Sequence, residues 1–88
     1  MFQERVTIIN QRGLHARAAA KFAQLAEQFD AEITVEASGL KVSALSIMGL
    51  MMLAAGPGTE ISISSAGSDA EAGLVALVAL VKGRFDEE

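Results

Sequence analysis

Residues 32–42 read EITVEASGLKV. Ile33 and Val35 alternate with Glu32, Thr34 and Glu36, the period-two pattern of a strand with one apolar face. Ser38-Gly39 is a tight-turn pair, and Leu40-Lys41-Val42 returns as a short second strand, so the stretch predicts a β-hairpin. Outward from it, Arg5–Asn10 places Val6 and Ile8 at period two, and Glu60–Ser64 does the same with Ile61 and Ile63. Between these strands lie helical patterns. Ala16–Phe29 puts Ala18, Phe22, Leu25 and Phe29 on one stripe, and Asp30-Ala31 ends it. Ser46 is a good N-cap for a helix from Ile47 to about Ala55, which Gly56-Pro57-Gly58 must stop. Ser68 and Glu71 have capping-box spacing, and the helix they open should run to about Arg84 with Leu74, Leu77, Val78, Val81 and Phe85 inward. The order β-α-β-β-α-β-α implies an α+β fold: a two-layer open-faced sandwich, its four-stranded antiparallel sheet covered on one face by helices. Two long helices fill that face, so the short middle helix should lie near an edge, poorly covered.

The 88 residues suit one domain, and with 51% hydrophobic residues a core is within reach of the composition. Cysteine is absent, which removes disulfides, thiolate metal sites and cysteine nucleophiles, and is compatible with a reducing cytosol. With a single histidine, a zinc site would need mostly carboxylates, and neither a metal nor another cofactor is expected. The net charge is −4, the basic residues are scattered, and tyrosine and tryptophan are lacking, so nucleic-acid binding is not expected. Leu74–Val81 is the longest strongly apolar run, far short of the about 20 residues that span a bilayer. No signal-peptide-like run follows the first residues, and the expectation is a soluble, cytoplasmic protein.

The lone histidine, His15, falls where the Ala16–Phe29 helix should begin. The opening N–H groups of a helix lack partners within it, and the helix dipole behind them favours an anion. Arg17 lies in the first turn, where a carboxylate would be expected and a cation opposes the dipole; an arginine there suggests that an anion visits. Phosphate suits all three features. Imidazole, with an unperturbed pKa of about 6.5, is largely neutral and nucleophilic at cellular pH and can accept a phosphoryl group covalently. The phosphorus–nitrogen bond is labile, which suits a carrier, whereas a serine phosphoester persists, which suits a switch.

Gly13-Leu14-His15-Ala16-Arg17, with Ser46-Ile47-Met48-Gly49 opening a later helix, closely resembles the HPr family, the histidine-containing phosphocarriers of the bacterial phosphotransferase system. The resemblance covers nearly the whole chain. It implies that His15 is phosphorylated on Nδ1 by enzyme I, which carries phosphate from phosphoenolpyruvate, and passes the group to an enzyme IIA component. It implies that Arg17 contacts the phosphate, with the N–H groups of Ala16, Arg17 and Ala18 assisting, and that Ser46 matches the serine modified by HPr kinase/phosphorylase. A monomer is the implied state. Ala18 stands where many members have proline, and Gln24, Glu27 and Gly49 stand where many carry basic residues. The ending Gly83–Glu88 and Phe29–Glu32 resemble the nitrogen-regulatory paralogue, whereas Ser46–Gly49 resembles the sugar-branch carriers.

Ile47, Met48, Leu50, Met51, Met52 and Leu53 make the middle helix apolar nearly all round. If Leu50 and Leu53 face the sheet, Ile47, Met48, Met51 and Met52 must be partly exposed, a deformable surface for successive partners. Two rival readings remain at this point. One is a regulatory interaction domain that works through the methionine helix and Ser46. The other is a hydrolase with His15 as base, which lacks a nucleophile or carboxylate partner nearby in sequence.

Overall fold

The computed structural model describes residues 1–87; Glu88, the last residue of the expected 1–88 domain, lies outside the described residues. In chain order the elements are β1 (Phe2–Thr7), α1 (Ala16–Ala26), β2 (Glu32–Ala37), β3 (Leu40–Ser43), α2 (Ile47–Met52), β4 (Glu60–Ala66) and α3 (Ala70–Lys82), followed by a 3-10 turn at Arg84–Asp86. The sheet order is β1-β4-β2-β3 and every neighbouring pair is antiparallel. The hairpin closes as its sequence predicts. Ala37 pairs with Leu40, and Ser38 and Gly39 both take positive φ, 52° and 83°, the twist-matched two-residue turn.

Alternation sorts the sheet into two faces. Val6, Ile33, Val35, Ile61 and Ile63 are buried inward, while Gln3, Arg5 and Glu36 stand on the bare outer face. Helices α1 and α3 cover the inner face through Phe22, Leu77 and Val81, all 0% exposed. Helix α2 packs on α1 and on the edge strand β3, the position its shortness predicts. No helix among the described residues is long and apolar enough to cross a membrane.

Several boundaries differ from expectation, some because a distant group claims the backbone and some because the chain tightens locally. Strand β1 spans Phe2–Thr7 rather than Arg5–Asn10. Beyond Thr7, the Ile8 N–H donates to the Thr59 carbonyl at 2.8 Å and the Ile8 carbonyl accepts from Gly58 N–H at 2.8 Å, which takes Ile8 out of the ladder; Val6 and Ile8 still point inward. Helix α1 stops at Ala26, where the chain tightens into three-residue bonds from Gln28 N–H to Leu25 O and from Phe29 N–H to Ala26 O. Its buried stripe is therefore Ala18, Ala19, Phe22, Ala23 and Ala26, with Leu25 and Phe29 only partly covered. Helix α2 ends at Met52 because Ala54 turns left-handed, φ 52°, freeing the Ala55 carbonyl to accept from Leu14 N–H at 2.9 Å.

The capping box at Ser68 and Glu71 does not form. Asp69 is the N-cap of α3 and makes no side-chain capping bond. Instead Ser68 Oγ donates to Asp30 Oδ2 at 2.6 Å, and Asp30 N–H donates to Asp69 Oδ2 at 2.7 Å, tying the end of α1 to the start of α3. Glu71 stays in the first turn of α3, where a carboxylate complements the dipole. Helix α3 ends at Lys82, not Arg84. Arg84, Phe85 and Asp86 then take positive φ of 59°, 54° and 63°, a reversal that buries Phe85 completely and turns the following residue back toward α1.

Candidate functional site

The site begins with a turn rather than with the histidine. Gly13 has φ 63°, and a Cβ on it would lie 2.3 Å from the Ala55 carbonyl oxygen. Only glycine allows segment 10–14 to press against Ala55-Gly56, where Leu14 N–H donates to Ala55 O. Gly13→Ala is expected to cost at least about 2 kcal/mol, from left-handed strain plus a clash with backbone, and to displace His15. Thermal unfolding with phosphoryl-transfer assays checks both consequences.

Held by that turn, His15 becomes the N-cap of α1, with φ −74° and ψ 178°. Its carbonyl accepts from Ala19 N–H at 2.8 Å, but its ring makes no capping bond to the first-turn amides. The helix start is left open by a residue type that could not close it well. No acidic residue occupies the first turn of α1, in contrast to Glu71 in α3. Ala16 and Arg17 are exposed, whereas Ala18 is fully buried, so an anion would meet the helix start from the side of Ala16 and Arg17. A depression of about 230 Å³ joins His15, Arg12 and Leu14 to Ala54, Ala55 and Gly56 just after α2. A larger one of about 300 Å³ opens on the bare sheet face between Gln3, Arg5, Glu36 and Ser62, away from the imidazole and any helix start.

Two residues that sequence reasoning did not single out complete the site. The fold brings Glu87 to His15 across 72 positions, with Nε2 and Oε2 2.5 Å apart, supplying the carboxylate partner that is missing nearby in sequence. Asn10 is 1% exposed, and its Nδ2 donates to Gly13 O at 2.9 Å and to Glu87 Oε1 at 3.1 Å. Flipping that amide would set an oxygen against two acceptors, so its orientation is determined even though Oδ1 finds no protein donor among the described residues. The Asn10-to-Gly13 turn, closed by Gly13 N–H donating to Asn10 O, was the only local signal for Asn10; Glu87 had none.

The His15 hydrogen bond, chiefly, holds the Glu87 carboxyl below its ordinary 4.5; the Asn10 bond and the charges of His15 and Arg12 add to this, and burial opposes it. A carboxyl depressed in the folded state stabilises fully above its unfolded value, and the contribution is lost as pH falls through the lower folded value. The stability difference between wild type and Glu87→Gln is therefore expected to shrink as pH drops below about 4.5, which urea unfolding at pH 7 and at pH 3 would measure.

Ser46 caps α2, its Oγ accepting from Gly49 N–H at 2.9 Å. Beyond it Leu50 and Leu53 are buried, while Ile47, Met48, Met51 and Met52 are 41%, 75%, 43% and 66% exposed. Helix α2 packs on α1, and the residues just after it, Ala54, Ala55 and Gly56, line the His15 depression, so the helix that carries the methionines neighbours the imidazole.

Comparison with known proteins agrees with this geometry. A family model described as "PTS HPr component phosphorylation site" matches residues 2–83. The phosphocarrier protein NPr of Shewanella violacea is 52% identical over 85 residues, covering 97% of this chain and 93% of that protein. The phosphocarrier protein HPr of Cupriavidus necator is 47% identical over 87 residues, covering 99% and 98%. Among solved structures, HPr-C-His from Thermoanaerobacter tengcongensis superposes with a TM-score of 0.95 at 43% identity, covering 100% of this chain and 99% of that one. HPr from Bacillus anthracis gives 0.87 at 50% identity, covering 91% and 95%. A match spanning nearly the whole chain, on the same open-faced sandwich, leaves one conclusion: the chain belongs to the HPr family, the phosphocarriers of the phosphotransferase system.

Proposed function

We propose that His15 is the phosphoryl acceptor, that Nδ1 takes the group from enzyme I, and that an enzyme IIA component receives it. The observation that carries this is the N-cap itself: the chain's one imidazole stands at a helix start and leaves it uncapped, beside an exposed arginine. Arg17 supplies charge-assisted bonds to the phosphate, and the helix-start N–H groups of Ala16, Arg17 and Ala18 supply directed donors. Residues 1–88 act as one domain, a cytoplasmic monomer that needs no cofactor. Incubation with enzyme I and phosphoenolpyruvate, followed by intact mass, tests the reading. A gain of one acid-labile phosphate is expected; no gain, or an acid-stable one, contradicts it.

Partners dock on the patch of Ile47, Met48, Met51 and Met52. Met48→Asp is expected to raise the KM for enzyme I about tenfold, since an apolar anchor is replaced by a charge that docking must desolvate. Stability should move by less than about 0.5 kcal/mol, because Met48 is largely exposed and an acidic residue early in a helix complements its dipole. Steady-state transfer kinetics beside thermal unfolding separate the two effects, and an unchanged KM would remove α2 from the docking surface.

Ser46 serves as the site for HPr kinase/phosphorylase. Phosphate there adds about −1.5 to −2 charges next to the methionine patch while sitting favourably on the N-terminus of α2, so it opposes docking without unfolding the domain.

A further inference from the structure

The geometry points to segment 84–87 as a strap that makes Glu87 a positioning residue for phosphoryl transfer: its carboxylate holds the Nε2 proton of His15 and thereby presents Nδ1 as the nucleophile. This rests on His15 being the acceptor, as proposed above, and adds the device that prepares it. The strap lies beyond residues 2–83, the part of the chain that the family model matches.

Three contacts hold the strap in place. Phe85 plugs the core at 0% exposure despite a left-handed backbone, φ 54°. Lys21 Nζ donates to the Phe85 carbonyl at 2.8 Å, fastening the turn to α1. Asn10 Nδ2 donates to Glu87 Oε1, which leaves Oε2 for the imidazole. A run of three left-handed non-glycine residues is costly, and it persists here because burial of Phe85 over-determines it.

The proton's location follows from the donor inventory. An ionised carboxylate can only accept, so the proton between Glu87 and His15 sits on Nε2. In the neutral ring the lone pair is then on Nδ1. Glu87 covers the Nε2 edge of a side chain only 16% exposed, and so directs an incoming phosphorus to the other nitrogen. In the transfer, the Nδ1 lone pair forms the nitrogen–phosphorus bond as the bond from phosphorus to the donor breaks, its electron pair leaving with the donor. The Nε2 proton stays. The ring becomes cationic and Glu87 is its counter-ion, the service a buried carboxylate gives the histidine of a hydrolytic triad. On delivery to the next protein the bonding pair returns to Nδ1 and the ring is neutral again.

A carboxylate beside an anion's landing place also repels that anion, so the opposite role, a plug that must be displaced, makes a prediction of opposite sign. The test is transfer from phosphorylated enzyme I to wild type, Glu87→Gln and Glu87→Ala, with intact mass and 15N spectra of the His15 ring. The strap predicts that kcat falls about tenfold in both variants with KM unchanged, and that the Nδ1–H tautomer of the neutral ring gains population. A kcat that is unchanged or higher, or a tautomer balance that does not move, overturns it. If instead wild type gains no phosphate, or gains one that survives His15→Ala, the failure belongs to the proposed function and not to the strap.

Discussion

His15→Ala is expected to abolish phosphoryl acceptance outright rather than reduce it. The domain has no second histidine and no cysteine, so no other imidazole or thiolate stands in for the lost nucleophile. The variant is also a clean one. The ring makes no capping bond, so alanine deletes chemistry and the Glu87 contact without opening a cavity in the core. Thermal unfolding should shift by only a few degrees, the equivalent of at most about 1 kcal/mol for a domain of this size. Intact mass after incubation with enzyme I and phosphoenolpyruvate should show no phosphorylated species at any time. A regulatory domain on the same scaffold would tolerate the change and keep its partners, so residual acid-labile phosphate or an unaffected biological output would favour that rival.

The largest expected effect on stability comes from the strap's anchor. Phe85→Ala removes a fully buried ring and should cost about 3–5 kcal/mol, a large share of the roughly 5–15 kcal/mol typical of a whole domain. At about 4–8 °C per kcal/mol the melting temperature falls by some tens of degrees. Alanine at φ 54° is no less strained than phenylalanine, so the loss reflects packing rather than relief at the backbone. Function should fall with it, because only polar contacts from Lys21, Asn10 and His15 then hold residues 84–87 in place. Phe85→Leu, which refills part of the volume, should recover most of the stability; denaturant midpoints of the three proteins rank them. Glu87→Gln behaves differently, with a small change in midpoint at pH 7 and a large change in transfer rate.

Elements whose determinants are local could be read from the sequence. The hairpin at Ser38-Gly39, the N-cap at Ser46, the inward sets Ile33/Val35 and Ile61/Ile63, and the exposed methionines of α2 all depend on residues within a few positions of each other. The open cap at His15 belongs with them. Apart from the end of α1, which tightens locally, the larger failures were governed from a distance. Ser68 and Glu71 had the right spacing for a capping box on α3, yet Asp30, 38 positions before Ser68 and 39 before Asp69, engages Ser68 and Asp69 instead. Helix α2 stops short because the Ala55 carbonyl is needed by Leu14. Segment 84–87 is the extreme case. No propensity assigns left-handed backbone to arginine, phenylalanine and aspartate in succession, and only the three-dimensional fit of Phe85 compels it. The carboxylate partner of His15 was therefore invisible until the chain had folded.

The whole account turns on which atom takes the phosphorus. Protein labelled with 15N, phosphorylated by enzyme I and phosphoenolpyruvate, can be examined for one-bond 15N–31P coupling in the imidazole of His15. The account predicts coupling on Nδ1, with a proton retained on Nε2. Coupling on Nε2, or phosphorus on a serine oxygen, would contradict it.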